Sequence, residues 1–209
     1  MIDRVEVDLR GTLLAVRDQG ARPTCLAHAV TAAHEHARGA SAHLSPEYLH
    51  FFASQGRAVG NSMDEVAEAL KIEGQSAESH CPYFAQDPPS GWKPPTDLTV
   101  FRRASEPKNA TAATVEGWIR GGLAPVLGLT LPESFFDPTA PWLISSSGPV
   151  RGLHAVVGVG LGRHQGNRAF LIRNSWGADW GDGGYVWLGD AFLAQHLKAA
   201  LVLTHEVSP

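Results

Sequence analysis

Apolar residues recur at helical spacing in residues 24–38, with Leu26, Ala29, Val30 and Ala33 on one face. Thr24 stands as an N-cap and Gly39 as a stop, so the pattern predicts a helix over 24–38. Ser45, Pro46 and Glu47 have the cap-then-proline order of a helix start and lead into a short helix over Tyr48–Phe52. Ser62 and Glu65 make a capping box, Met63, Val66, Ala67 and Leu70 follow on one face, and Gly74 closes that helix. Residues 84–110 carry Pro88, Pro89, Pro94, Pro95 and Pro107 and read as a crossing between two lobes. A short helix around 114–119 and an apolar strand at Ala124–Leu131 come next, then a second long loop over 132–150. Strand-like runs at 153–161, 168–174, 184–188 and 199–204 fill the rest, with Ala191–Leu197 as a short helix. The first half is thus mainly helical and the second mainly strand, an α+β chain.

The 209 residues fit one large domain or two small lobes sharing a cleft. With 44 % hydrophobic and 18 % charged residues, the composition is that of a compact protein and not of a disordered one. A net charge of −4 without a basic stripe argues against nucleic acid, and no charge run argues for a membrane surface. No segment is apolar enough to span a bilayer, and the first residues lack a secretory apolar stretch. The expectation is a soluble protein, cytoplasmic in the producing cell, with delivery elsewhere as an effector left open. Cys25 and Cys81 are the two cysteines. If Cys25 stays unpaired for chemistry there is no structural disulfide, which is compatible with a reducing compartment.

The candidate chemistry lies in three separated segments holding Cys25, His154 and Asn174. Cys25 falls in the first turn of a predicted helix, where free N–H groups and the helix dipole favour the nucleophilic thiolate. Gln19, six residues earlier, can join the Cys25 backbone N–H as an oxyanion hole. His154 lies in a strand of small and apolar residues. Asn174 can hold one nitrogen of its ring and leave the other for the thiol. Trp176 and Trp180 would shield that hydrogen bond. Taken one at a time, each residue also has an ordinary structural reading: a buried thiol, a turn glutamine, a core histidine, packed indoles. The Gly158, Gly160 and Gly162 run has the wrong spacing for a dinucleotide loop, and no helix follows it. His34 and His36 do not share a helix face, and His80 beside Cys81 has no partner pair at ligand spacing. No metal site and no cofactor is expected, and Cys81 reads as a buried or half-buried structural thiol.

Together these residues resemble the papain-like cysteine peptidases. That family places its His and Asn roughly 130–150 residues after the Cys, and here they follow it by 129 and 149 residues. Val16-Arg17-Asp18-Gln19-Gly20 resembles the family's oxyanion segment, the 153–160 run its histidine strand, and the 170–185 run its asparagine segment. Leu44-Ser45-Pro46-Glu47 and Cys81-Pro82-Tyr83 also fall where the family has similar stretches. The resemblance implies a single catalytic domain over 1–209: a helical left lobe, about 20–110, a β-barrel-like right lobe, about 111–209, and a cleft between them. It implies Cys25 as nucleophile, His154 as general base and acid, Asn174 as orienter and Gln19 as oxyanion donor. It places Ala155, Asn61, Ser62 and Trp176 along the substrate, a peptide or protein.

Departures are local. Arg22 stands where the family has a disulfide-bonded cysteine, and Pro23 removes an N–H before the nucleophile. Leu26 and His28 replace aromatic residues, Leu153 a frequent polar one, and no Gly-Gly follows Asn61. The pattern suits a disulfide-free, bacterial-type member. The implied activity is peptide-bond cleavage through a Cys25 acyl-enzyme. Acyl transfer or deamidation on the same triad, and a non-cleaving papain-like peptide-binding module, are the alternatives. No pro-segment is evident, so restraint is expected from an inhibitory or regulatory protein, a fused domain, delivery to another compartment, or narrow specificity.

Overall fold

In a computed structural model, which describes residues 2–144 and 148–208, the three predicted early helices form where local chemistry starts and stops them. Helix α1 (Cys25–Arg38) ends on Gly39 at φ 59°. Helix α2 (Pro46–Ser54) opens with Ser45 Oγ accepting the Tyr48 N–H at 3.0 Å. Helix α3 (Met63–Ile72) has both bonds of the capping box between Ser62 and Glu65. Thr24 differs from expectation. It occupies the N-cap position of α1, but its hydroxyl caps nothing and bonds Tyr83 Oη at 2.7 Å instead. Residues 26–35 of α1 are all buried, because α2, α3 and the sheet surround the helix and not merely one face of it.

The strands are β1 (Arg4–Asp8), β2 (Gln75–Ser76), β3 (Val100–Lys108), β4 (Val126–Pro132), β5 (Leu143–Ile144), β6 (Val150–His164), β7 (Asn167–Arg173), β8 (Tyr185–Gly189) and β9 (Leu197–Val207). Helices α4 (Ala112–Arg120) and α5 (Asp190–His196) lie among them. The strand order is β2-β3-β9-β4-β6-β7-β8-β5, with β1 on β6. Its ends, β2 and β5, do not pair, so the expected barrel-like lobe is an open sheet.

Two stretches expected as loops carry structure. Residues 100–108, inside the proline-rich crossing, form β3. It pairs with β9 although only Arg103 on it is buried, so no apolar alternation announces the strand. The 132–150 loop contains a short turn over Glu133–Phe135 and strand β5; its residues 145–147 lie outside the described residues.

Strand β6 organises the molecule. Ala155, Val157 and Val159 face the core shared with α1, α2 and α3, while Val156 faces a second core with α4 and α5. A register shift between Gly158 and Gly160 reverses that alternation, and Leu161 then joins the second core. Packing α1 against β6 brings Cys25, at the helix start, to the backbone of Ala155, the residue after His154.

Candidate active site

The site is assembled from four backbone segments. Cys25 begins α1, partly exposed, and its thiol meets the backbone N–H groups of Ala155, Leu26 and Cys25 itself. His154 lies on β6, and Asn174 directly follows β7. Gln19 lies in the loop before α1, tied down by its N–H to Ser175 O at 2.8 Å and by the Asp18–Trp176 bridge. The Asn174 backbone N–H donates to Gly184 O at 3.0 Å. Gly184 has φ 92°, and a Cβ there would sit 2.6 Å from Val16 Cγ1, so only glycine lets this turn close under the site.

The hydrogen bonds fix the protonation pattern. Asn174 Oδ1 accepts the Ser175 N–H at 2.8 Å and lies 2.7 Å from His154 Nε2. An atom that accepts a backbone N–H must be the amide oxygen, so His154 Nε2 is the donor. The neutral ring then carries its lone pair on Nδ1, the atom left for the thiol. Trp176 packs on the His154 ring at 4.7 Å between centroids, and Phe135 stands 6.3 Å from it. Trp180 packs on Trp176 and Phe135, the two rings that adjoin the histidine. Phe136, 45 % exposed, stacks on Trp176 and extends the aromatic wall to the surface.

Burial disfavours each charge taken singly. It pushes the Cys25 thiol above its usual value, against the downward pull of the Ala155, Leu26 and Cys25 N–H groups. It pushes His154 down to about 4, against the upward pull of Asn174. Proton transfer from Sγ to Nδ1 would make an opposite-charge pair at a helix N-terminus, where each charge stabilises the other.

Gln19 is buried and fully oriented. Its Nε2 donates to Arg22 O at 2.9 Å, and its Oε1 accepts the Ser175 hydroxyl at 2.7 Å. A carbonyl only accepts, so the amide cannot be flipped, and one Nε2–H stays free for an oxyanion. Arg22 itself forms a bidentate pair with Glu47 of α2 at 2.5 and 3.0 Å, both side chains buried.

The expected substrate residues divide. Ala155 and Trp176 adjoin Cys25 and His154. Asn61 Oδ1 lies 2.8 Å from His50 Nδ1, and the Ser62 hydroxyl caps α3 while the residue stays exposed, so each side chain has a partner within its own lobe. A Cβ placed on Gly60, beside them, would lie 3.8 Å from the Pro23 carbonyl oxygen, so that segment runs close to the nucleophile loop. Two contributors escape sequence reasoning. Ser175 joins Asn174 to Gln19, and Tyr83 donates to Gln19 O at 2.8 Å and meets the His28 ring edge-on. Their one sequence signal is membership of the two motif segments around Asn174 and Cys81.

Residues 4–196 match the family described as papain family cysteine protease. Among curated proteins the chain is similar to cathepsin K of Gallus gallus, 29 % identical over 90 % of this chain and 58 % of the relative. It is also similar to peptidase 1 of Dermatophagoides farinae, 28 % identical over 86 % of this chain and 59 % of the relative. The chain thus spans less than two thirds of the length of these relatives. The fold is similar to that of xylellain, a cysteine protease from Xylella fastidiosa, with a TM-score of 0.80 and 21 % identity over 98 % of this chain and 87 % of that one. It is similar also to digestive procathepsin L 3 of the Tenebrio molitor larval midgut, with a TM-score of 0.73 and 21 % identity over 95 % of this chain and 69 % of that one.

Proposed function

We infer that this chain, which belongs to the papain family of cysteine proteases, is a thiol peptidase that cleaves peptide bonds through an acyl-enzyme on Cys25. The observation that carries the reading is the double use of Asn174 Oδ1 by His154 Nε2 and the Ser175 N–H, which leaves Nδ1 as a base for the thiol. His154 takes the Sγ proton as sulfur attacks the carbonyl carbon. The resulting oxyanion is held by the Cys25 N–H and the free Gln19 Nε2–H. Collapse breaks the C–N bond, and His154 returns the proton to the leaving amine. His154 then deprotonates water, which attacks the thioester and releases acid and free Cys25.

The substrate in this reading is a peptide or protein, lying along Ala155, Trp176 and the backbone around Asn61 and Ser62. Restraint by an inhibitory segment or partner belongs to the proposal; one structure of similar fold is that of a procathepsin. The disulfide-free, bacterial-type placement is supported by two free cysteines and by the likeness to the Xylella protease.

The test is intact mass after an epoxide-type papain inhibitor, beside product masses from a peptide library. A single adduct that is absent in Cys25→Ala, with paired fragments from library peptides, is expected. Peptide gaining about 1 Da would replace the reading by deamidation, a mass change that follows from exchanging an amide for an acid on the same acyl-enzyme. Peptide binding with neither adduct nor product would replace it by a non-cleaving module.

A further inference from the structure

Between α1 and β6, next to Asn174, lies a cavity of about 10 Å³. That is the volume a single water molecule needs. Both His28 of α1 and Asn174 line it, together with Ser175, Arg17 and Arg173. His28 is 5 % exposed and Asn174 3 %. Each carries a buried polar atom with no partner among the described residues: His28 Nε2 and Asn174 Nδ2. Buried orphans of this kind are rare in native proteins and cost stability unless a water satisfies them.

The two atoms are not bonded to each other, but one is a donor and the other an acceptor, so a single water can bridge them. Asn174 Oδ1 is occupied by His154 and Ser175, so Nδ2 is a pure donor. His28 Nδ1 lies 3.1 Å from the Thr24 carbonyl, which can only accept, so the proton sits on Nδ1 and Nε2 is an acceptor. A water accepts from the first and donates to the second. Its other hydrogen can reach the Ser175 hydroxyl, which donates to Gln19 Oε1 and keeps lone pairs free.

We propose that His28 is a positioning residue that holds the Asn174 amide, and through it the His154 ring, by way of one buried water molecule. The chain Thr24 O, His28, water, Asn174 and His154 then runs from the first turn of α1 back to the base for Cys25. Burial pushes His28 down to about 3, so its ring stays neutral and keeps an accepting Nε2 at any pH where the protein works. The role rests on the peptidase reading of the triad; the water itself does not.

A crystal structure of the unliganded protein, at a resolution that orders water, is the first test. One water within about 2.7–3.2 Å of both His28 Nε2 and Asn174 Nδ2 is expected. An empty cavity, or a direct side-chain partner on either atom, overturns the proposal. The second test compares His28→Phe, which has no acceptor, with His28→Gln, which has one. His28→Phe should lower kcat roughly tenfold with KM unchanged, the effect of leaving a buried amide hydrogen unpaired. The His154 Nε2–H resonance should exchange faster with solvent in that variant, and His28→Gln should recover most of both properties. Equal effects of the two substitutions, or none from either, overturn the positioning role. If the wild type hydrolyses no peptide, the peptidase reading fails while the crystal still decides the water.

Discussion

A side chain acts in this site only as far as its partners remove its other options. Gln19 is the clearest case, since Arg22 O takes one amide hydrogen, Ser175 takes the amide oxygen, and a single N–H is left over. That hydrogen does its work when charge develops on the carbonyl oxygen, so Gln19→Ala should lower kcat by about 10²–10³ and leave KM nearly unchanged. Steady-state kinetics on one cleaved peptide checks this; a raised KM at constant kcat would make Gln19 a ground-state contact instead. Cys25, Gln19, His154 and Asn174 are legible in the chain because an unusual set of residue types recurs at a family's spacing. Ser175, Tyr83 and His28 are not, because hydroxyls and histidines are common and their meaning depends on partners far away in sequence. Ser175 and Gln19, joined at 2.7 Å, are 156 residues apart. Asn61 and Ser62 show the reverse. Their position in the chain suggests substrate contact, while the structure adds a local partner for each side chain that the sequence does not announce for Asn61.

Between elements, the nucleophile loop is fastened to α2 by Arg22 and Glu47, where the family resemblance places a disulfide cysteine. The guanidinium also donates to Phe84 O at 2.9 Å and reaches Asp87 at 3.2 Å, and Glu47 accepts the Phe84 N–H at 3.2 Å. Burial alone would pull Arg22 down, but Glu47, with Tyr83 and Asp87, more than offsets this and its pKa ends raised. Removing one partner strands the other charge in the interior, so Arg22→Met should cost about 3–5 kcal/mol, whereas Arg22→Met with Glu47→Leu should recover much of that. Urea unfolding of the single and double variants separates the cases; equal losses in both would mean that the arginine's other contacts, not the pair, hold the loop. Legibility at this scale follows burial pattern. Helices α2 and α3 and strands β4, β6 and β7 are readable because caps or apolar runs mark them. Strand β3 is not, since its Arg102, Arg103 and Pro107 carry no alternation and pairing with β9 does the work. Pro107 is tolerated because β2 covers only Val100 and Phe101, leaving the rest of that side of β3 unpaired by a neighbouring strand.

At the scale of the whole molecule, the core that holds the site also makes its stability depend on pH. Five buried imidazoles are disfavoured as cations by desolvation, and three are shifted furthest: His28 is pushed down to about 3, His34 to about 4 and His154 to about 4, from an ordinary value of 6.5, while His50 and His196 are lowered as well. In the unfolded chain these rings take up protons as the pH falls through about 6.5, while on the three shifted furthest the folded protein refuses them until the pH nears 4. The unfolded state therefore binds more protons in that window, and stability must fall as pH falls. Each ring contributes a slope of at most about 1.4 kcal/mol per pH unit, and three together about 4, against a total stability of about 5–15 kcal/mol for an ordinary domain. Carboxylates act in the same direction but later. Glu6, held down to about 2 by Arg4, Arg120 and Arg163, gives up its contribution only below its ordinary value of 4.5. Urea midpoints should therefore drop between pH 6.5 and 5, before carboxylate protonation matters. His34 offers a clean dissection, because it lies outside the catalytic group and bonds Gln75 Oε1 at 2.8 Å, a contact that glutamine can imitate. His34→Gln should reduce the slope by up to about 1.4 kcal/mol per pH unit, one ring's share. Midpoints that stay level from pH 7.5 to 5 would mean that the interior admits protons on these rings without opening. A falling slope would mean that the burial which keeps the base neutral for catalysis is also what unfolds the protein in acid.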